Sequence, residues 1–198
     1  ASEALRDLGS DALTTARVGR LVLSTARHEI ACETGEDVTT DVVHDGDLWA
    51  MFSTQVGFLN IPVALSDDLR HWSRPVDALP ELPAWAESGR TWAPGVVRLD
   101  GRYLLYFTVY HKFSGRPCIG AATSAPATGP FAPAAVPLVY QTQLGGSIDP
   151  YPFVDRGGNL FLLWKADPNA IGQPSTPFAQ RLAPDALAPH RPTGRAAD

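Results

Sequence analysis

The sequence predicts an all-β chain organised as blades of a β-propeller. Three observations predict it. An apolar run, a glycine turn and a longer apolar and aromatic run recur three times, with turn glycines at 46, 101 and 158, a period of about 55 residues. Each hairpin is followed by a third strand-like stretch that ends in a polar turn and leaves room for a short fourth strand. Four short antiparallel strands in a repeat of this size make one blade. Finally, 17 Gly and 18 Pro are spread through 198 residues and interrupt most windows long enough for a helix.

In chain order, residues 3–17 are the exception to the last observation and are expected to form one short helix. Gly19 to Ile30 then reads as one strand, so 1–36 is an N-terminal segment ahead of the blades. The first blade, about 37–80, opens on the hairpin Val42-Val43-His44-Asp45-Gly46-Asp47-Leu48-Trp49-Ala50-Met51-Phe52-Ser53. Ile61-Pro62-Val63-Ala64-Leu65 and the turn Ser66-Asp67-Asp68-Leu69-Arg70-His71-Trp72 follow it. The second blade, about 92–138, carries Val96-Val97-Arg98-Leu99-Asp100-Gly101-Arg102-Tyr103-Leu104-Leu105-Tyr106-Phe107-Thr108, then Cys118 to Ser124 and Gly129-Pro130-Phe131. The third, about 147–187, carries Pro152-Phe153-Val154-Asp155-Arg156-Gly157-Gly158-Asn159-Leu160-Phe161-Leu162-Leu163-Trp164, then Pro177 to Leu182 and Asp185-Ala186-Leu187. Asp-Gly and Gly-Gly between apolar runs supply the positive φ that tight hairpins need. Residues 188–198 form a tail without strand pattern. A sandwich of unrelated hairpins is the plain alternative, but the matching second halves favour blades. Three repeats do not close a ring of 4–8 blades. The propeller is therefore read as incomplete or partial in this chain, and self-association of copies is one way to complete it.

Composition narrows the function. With 44% hydrophobic and 19% charged residues the chain is globular. No apolar run approaches the roughly 18–20 residues of a membrane span. A net charge of −5 leaves no basic surface to neutralise phosphates, so neither a membrane nor a nucleic acid is an expected partner. Two cysteines, Cys32 and Cys118, exclude a disulfide scaffold and a cysteine zinc site. They pair only if the first blades bring them together, and are otherwise buried thiols. His44, His71 and His111 lack metal-ligand spacing and read as surface or turn residues. Ser124 and Ser147 lack a Gly-x-Ser-x-Gly context. Gly145-Gly146-Ser147 leads into a strand, which rules out a phosphate loop. No cofactor is expected.

In a propeller the innermost strand of each blade lines the central channel, and its first residues point to one mouth. Counting back nine positions from each turn glycine gives Asp37, Trp92 and Asp149. Two carboxylates and an indole converging there suit a sugar, since the ring stacks on an apolar sugar face and paired carboxylates do acid and base work on a glycosidic bond. Close carboxylates also raise each other's pKa. The plainer readings are turn or cap roles for the two Asp, Asp149 standing before Pro150, and a core role for Trp92. Trp49 and Trp164, inside apolar runs, are read as core.

At these residues the sequence resembles the five-bladed propeller glycosidases of glycoside hydrolase family 43, which include arabinanases, arabinofuranosidases and xylosidases. The resemblance runs over roughly 36–187. It rests on Trp92-Ala93-Pro94-Gly95-Val96-Val97 with Asp100 to Tyr106, on Ser147-Ile148-Asp149-Pro150-Tyr151-Pro152-Phe153-Val154-Asp155, and more weakly on Ile61 to Trp72. It implies an inverting hydrolase of arabinose- or xylose-containing polysaccharides or oligosaccharides. One Asp acts as base from the first blade, a second Asp in the third blade tunes the acid, and a Glu from a later blade is the acid.

Asp149 matches the second role, and Asp37 is taken as the base because it matches Asp149 in the internal repeat. The sequence departs from the pattern twice. The family base precedes Pro, whereas Asp37 precedes Val38. Aligning on Leu48 to Phe52 with the shorter family spacing puts Thr39 near the base position, and makes Asp41, on the same strand face, the alternative base. Trp92 and Asp41 are the expected substrate-binding residues. No Glu follows Glu87, so the implied general acid has no counterpart. A catalytically inactive or truncated carbohydrate-binding propeller is the alternative. The resemblance further implies a carbohydrate partner and secretion, while the residues themselves leave the compartment open. Some relatives carry a structural cation such as calcium, but no Asp/Asn loop spacing here assigns one.

Overall fold

The computed structural model describes residues 15–18, 21–24, 29–32, 37–167 and 171–190. Among them are fourteen strands, one short 3-10 turn at 142–144, and no α-helix. Strands β1 (Thr15–Val18), β2 (Leu21–Ser24) and β3 (Glu29–Cys32) form an antiparallel meander that continues onto β4 (Asp37–Asp45). The first blade is β4 with β5 (Leu48–Ser53), β6 (Pro62–Ser66) and β7 (Val76–Asp77). The second is β8 (Ala86–Leu99), β9 (Arg102–His111), β10 (Arg116–Ser124) and β11 (Ala132–Pro133). The third is β12 (Ser147–Val154), β13 (Leu160–Ala166) and β14 (Pro177–Arg181). A single bridge between Leu182 and Pro189 stands where its fourth strand is expected.

The all-β reading holds, with differences in detail. The helix expected over 3–17 falls mostly outside the described residues, and its last three positions lie in β1. The strand expected over 19–30 divides into β2 and β3. The second blade starts at Ala86, ahead of the expected 92, because β8 runs through the loop before Trp92. Cys118 is a buried free thiol; the side chain of Cys32 lies outside the description.

The turns follow from their residues. Leu99 pairs with Arg102 across Asp100 and Gly101, whose φ values are 51° and 77°. Both central residues being left-handed gives the primed hairpin turn that Asp-Gly favours. In the third blade the Asp155 carboxylate accepts the N–H groups of Gly157 and Asn159, so one side chain organises a longer loop. These bonds hold the Asp155 carboxyl below its ordinary range, with the Asn159 side chain contributing most.

Strand alternation builds two cores. Along β9, Tyr103, Leu105, Phe107 and Val109 pack toward the first blade with Phe52, Ile61 and Val63. The intervening Leu104 and Tyr106 pack toward the third blade with Leu160, Leu162 and Leu182. A strand buried on both faces reads as a continuous apolar run, which is what residues 103–107 show.

Candidate active site

Strand β8 packs against both β4 and β12, and at one end of the blades Trp92 and Asp149 both lie next to Thr108 of β9. Trp92 pairs in register with Thr108 of β9, and Gly95 pairs with Tyr106, so two residues, Ala93 and Pro94, oppose one. Ile148 pairs with Lys165 and Tyr151 with Leu163, so Asp149 and Pro150 oppose Trp164 alone. Both are β-bulges, which re-aim side chains next to sites. Ala93 has φ 50° and Asp149 has φ 56°. A non-glycine residue in this region is strained by roughly 1–3 kcal/mol unless its surroundings hold it.

These matched bulges correct the count from the turn glycines. The structural counterpart of Asp149 is Ala93, because each carries the positive φ and precedes the bulge proline. Counting nine back gave Trp92 instead, since the third blade's turn is longer than the second's. The same offset removes the repeat match that paired Asp37 with Asp149. The side chain of Asp37 lies outside the description; its backbone pairs with Ala31 of β3.

Asp149 is held at two points. Its N–H donates to the hydroxyl of Thr108 at 3.1 Å, and Thr108 is fully buried. Its carboxylate Oδ2 lies 2.6 Å from the Lys165 ammonium. Through Thr108 the third blade's Asp149 stands beside the strand position of Trp92. Trp92 is half-buried, with its ring 5.5 Å from Tyr110 at 46°. The Arg90 guanidinium covers the Tyr110 ring at 3.5 Å, within cation–π range. Arg90, Tyr110 and Lys165 were missed from sequence. Tyr110 continues the alternation of β9 past Thr108, and Lys165 is one of only two lysines in the chain; those were the available signals.

Asp41 is not grouped with Asp149 by any hydrogen bond among the described residues. Its Oδ1 accepts the Val42 N–H at 2.9 Å and its Oδ2 accepts the Val96 N–H at 2.6 Å. The second bond crosses from β4 to β8, so this carboxylate ties the first blade to the second. Burial, the largest influence, pushes its pKa above the ordinary value, while both amide bonds pull the other way. Below it, Thr91 joins the same seam: its hydroxyl donates to the Asn60 carbonyl at 2.8 Å and its N–H to Gln55 Oε1 at 3.3 Å.

The other singled-out residues take structural places. Trp164 is half-buried; its Nε1–H donates to Gln141 Oε1 at 2.9 Å, and its ring stacks on Phe178 at 5.4 Å. Trp49 is half-buried against His44 at 4.4 Å. His71 is a turn residue with its Nδ1 2.6 Å from the Asp68 carboxylate. His111 is half-buried between Trp85 and Tyr140, not a simple surface residue. Among the described residues no three His, Cys, Asp or Glu side chains gather as a metal site.

Antiparallel sheets packed as successive blades define the fold as that of a β-propeller protein. The chain belongs to glycosyl hydrolases family 43, whose family model matches residues 34–194. It is 29% identical to an extracellular endo-α-(1→5)-L-arabinanase of Thermotoga petrophila, over 71% of this chain and 40% of that protein. Its fold matches an endo-arabinase of Bacteroides thetaiotaomicron with TM-score 0.67 at 22% identity, covering 77% of this chain and 53% of that one. It also matches an α-L-arabinanase of Cellvibrio cellulosa in complex with arabinohexaose, with TM-score 0.58 at 21% identity, over 76% and 49% of the two chains. The chain thus spans about half the length of the relatives it matches, and the fold is the partial β-propeller of this glycosidase family.

Proposed function

We propose that this chain forms part of an inverting glycoside hydrolase that acts on arabinose-containing polysaccharide outside the cell. The observation that carries the reading is Asp149, seated on a bulge at the mouth of the channel, charge-paired to Lys165 and tied through Thr108 to the strand of Trp92. Its role is to orient and tune a general acid. Trp92 offers a ring face to the sugar, with Tyr110 behind it. The base is taken as Asp37 over Asp41, no longer on the repeat but because both oxygens of Asp41 accept backbone N–H groups and serve the seam between blades. Inversion requires the acid and base carboxyl groups to stand ~6.5–9.5 Å apart, leaving room for water. The names of the arabinanase relatives support arabinose over xylose as the substrate sugar, and the extracellular relative supports secretion.

A second reading takes the Trp92 and Tyr110 ring pair, 5.5 Å apart, as a platform that holds sugar without turnover. The test is calorimetric titration with arabinohexaose and turnover of an aryl α-L-arabinofuranoside, with Asp149→Ala and Trp92→Ala beside the wild type. Turnover lost in Asp149→Ala supports the hydrolase. Binding without turnover, weakened in Trp92→Ala, supports the binding module. Neither binding nor turnover refutes both.

A further inference from the structure

We propose that Lys165 is a positioning residue that fixes the Asp149 carboxylate in a single orientation at the mouth of the channel. The inference rests on the reading of Asp149 as part of a sugar-processing site and deepens it. Strand register, not a wandering side chain, brings the two together. Lys165 on β13 pairs with Ile148 on β12, the residue immediately before Asp149. The bulge and the left-handed backbone at Asp149 then turn its carboxylate back across β13, where Nζ and Oδ2 meet at 2.6 Å.

The surroundings hold the backbone but not the carboxylate. Thr108 engages the Asp149 N–H, which leaves the side-chain torsions free. The Lys165 ammonium instead engages the carboxylate. Both side chains remain open to solvent, at 46% and 39% exposure for Lys165 and Asp149. An ion pair this exposed contributes little to fold stability, so stability does not account for its presence. A short charge-assisted hydrogen bond does supply direction. It aims Oδ2 at β13 and leaves Oδ1 to face a ligand or a neighbouring acid.

The test reads orientation without any sugar. In ¹³C,¹⁵N-labelled protein, three-bond couplings from the backbone N and carbonyl of Asp149 to its Cγ report the χ1 rotamer. One rotamer is expected in the wild type, averaging over at least two in Lys165→Met, and one again in Lys165→Arg. The thermal midpoint of Lys165→Met should match that of the wild type, which separates positioning from folding. A single unchanged rotamer in Lys165→Met overturns the proposal whether or not sugar binds.

A second arm titrates arabinohexaose into the same proteins. Lys165→Met should bind roughly tenfold more weakly, equivalent to about 1.4 kcal/mol, and Lys165→Arg should recover most of the loss. Equal binding by Lys165→Met and the wild type also overturns the proposal. If the couplings change as expected while the wild type binds neither arabinohexaose nor xylotriose, the positioning role stands and the arabinan reading is the part that fails.

Discussion

Gly95 lies where the inner strands of the second and third blades pack closely, and an added methyl tests that packing directly. A Cβ at this position would stand 2.6 Å from the Pro150 carbonyl oxygen and 2.7 Å from Cδ of Pro152. Ordinary contact needs about 3.5 Å, so β12 would have to retreat by almost 1 Å. Neither neighbour is the end of a flexible side chain: one is backbone and the other a ring. Overpacking of this kind costs about 1–3 kcal/mol. Gly95 is not among the glycines with positive φ, so alanine also gains roughly 0.4–1 kcal/mol by narrowing the unfolded ensemble. The net expectation is destabilisation by about 1–2 kcal/mol.

Equilibrium urea unfolding of Gly95→Ala measures it. With an m-value of about 1–3 kcal/mol/M, the midpoint should fall by roughly half to one molar while m stays constant. Because Pro150 directly follows Asp149, the amide resonances of Asp149 and its partner Thr108 should move in the same variant. A midpoint equal to or above that of the wild type would refute the close packing of β8 against β12, and with it the seat described for Asp149.

Three further outcomes follow from the same contacts. Thr108→Val keeps the side-chain shape but removes the acceptor of the half-buried Asp149 N–H, and should cost about 1 kcal/mol in thermal unfolding; Thr108→Ser should cost much less. Cys118, whose thiol burial pushes up to about 12, should resist Ellman's reagent in a native Cys32→Ser protein and react once urea unfolds it; prompt native reaction would contradict its burial. Asp41 makes stability pH-dependent. Burial raises its folded pKa above the ordinary 3.8, so the folded state binds this proton more tightly than the unfolded chain does. Its contribution is most favourable below 3.8 and declines as pH rises through the raised folded value. The stability of the wild type relative to Asp41→Asn should fall across that window, and a difference that does not vary with pH would refute the desolvation argument.

The blades were legible in the sequence because their signals are local. Gly46, Gly101 and Gly158 all adopt the positive φ their turns require, and the unbroken apolar run of β9 announces a strand buried on both faces. The site was legible only in part. Asp149 stands near the start of β12, as the repeat locates it, while Trp92 lies inside β8, which begins at Ala86. The count could not see that the third blade's turn is longer, and so it equated Trp92 with Asp149 where the bulges equate Ala93. The Ala93-Pro94 and Asp149-Pro150 dipeptides carried that information: a residue before proline is pushed away from helical geometry, and two such pairs before apolar runs mark matched irregularities. Asp41 was read as facing a ligand because alternation puts it on the same strand face as Asp37. Alternation says which face a side chain takes; it cannot say that the next blade offers the Val96 N–H on that face.

Four hydrogen bonds at this end of the blades cross from one blade to the next. Asp41 of the first blade binds Val96 of the second, Thr91 of the second binds Gln55 and Asn60 of the first, and Asp149 of the third binds Thr108 of the second. The geometry of the site is therefore a product of how blades pack, through the two cores on either side of β9. Lys165 and Asp149, by contrast, are joined within one sheet. That division separates the terms experimentally. Changes at Gly95 or Thr108 should move stability and site geometry together, whereas a change at Lys165 should move the carboxylate alone.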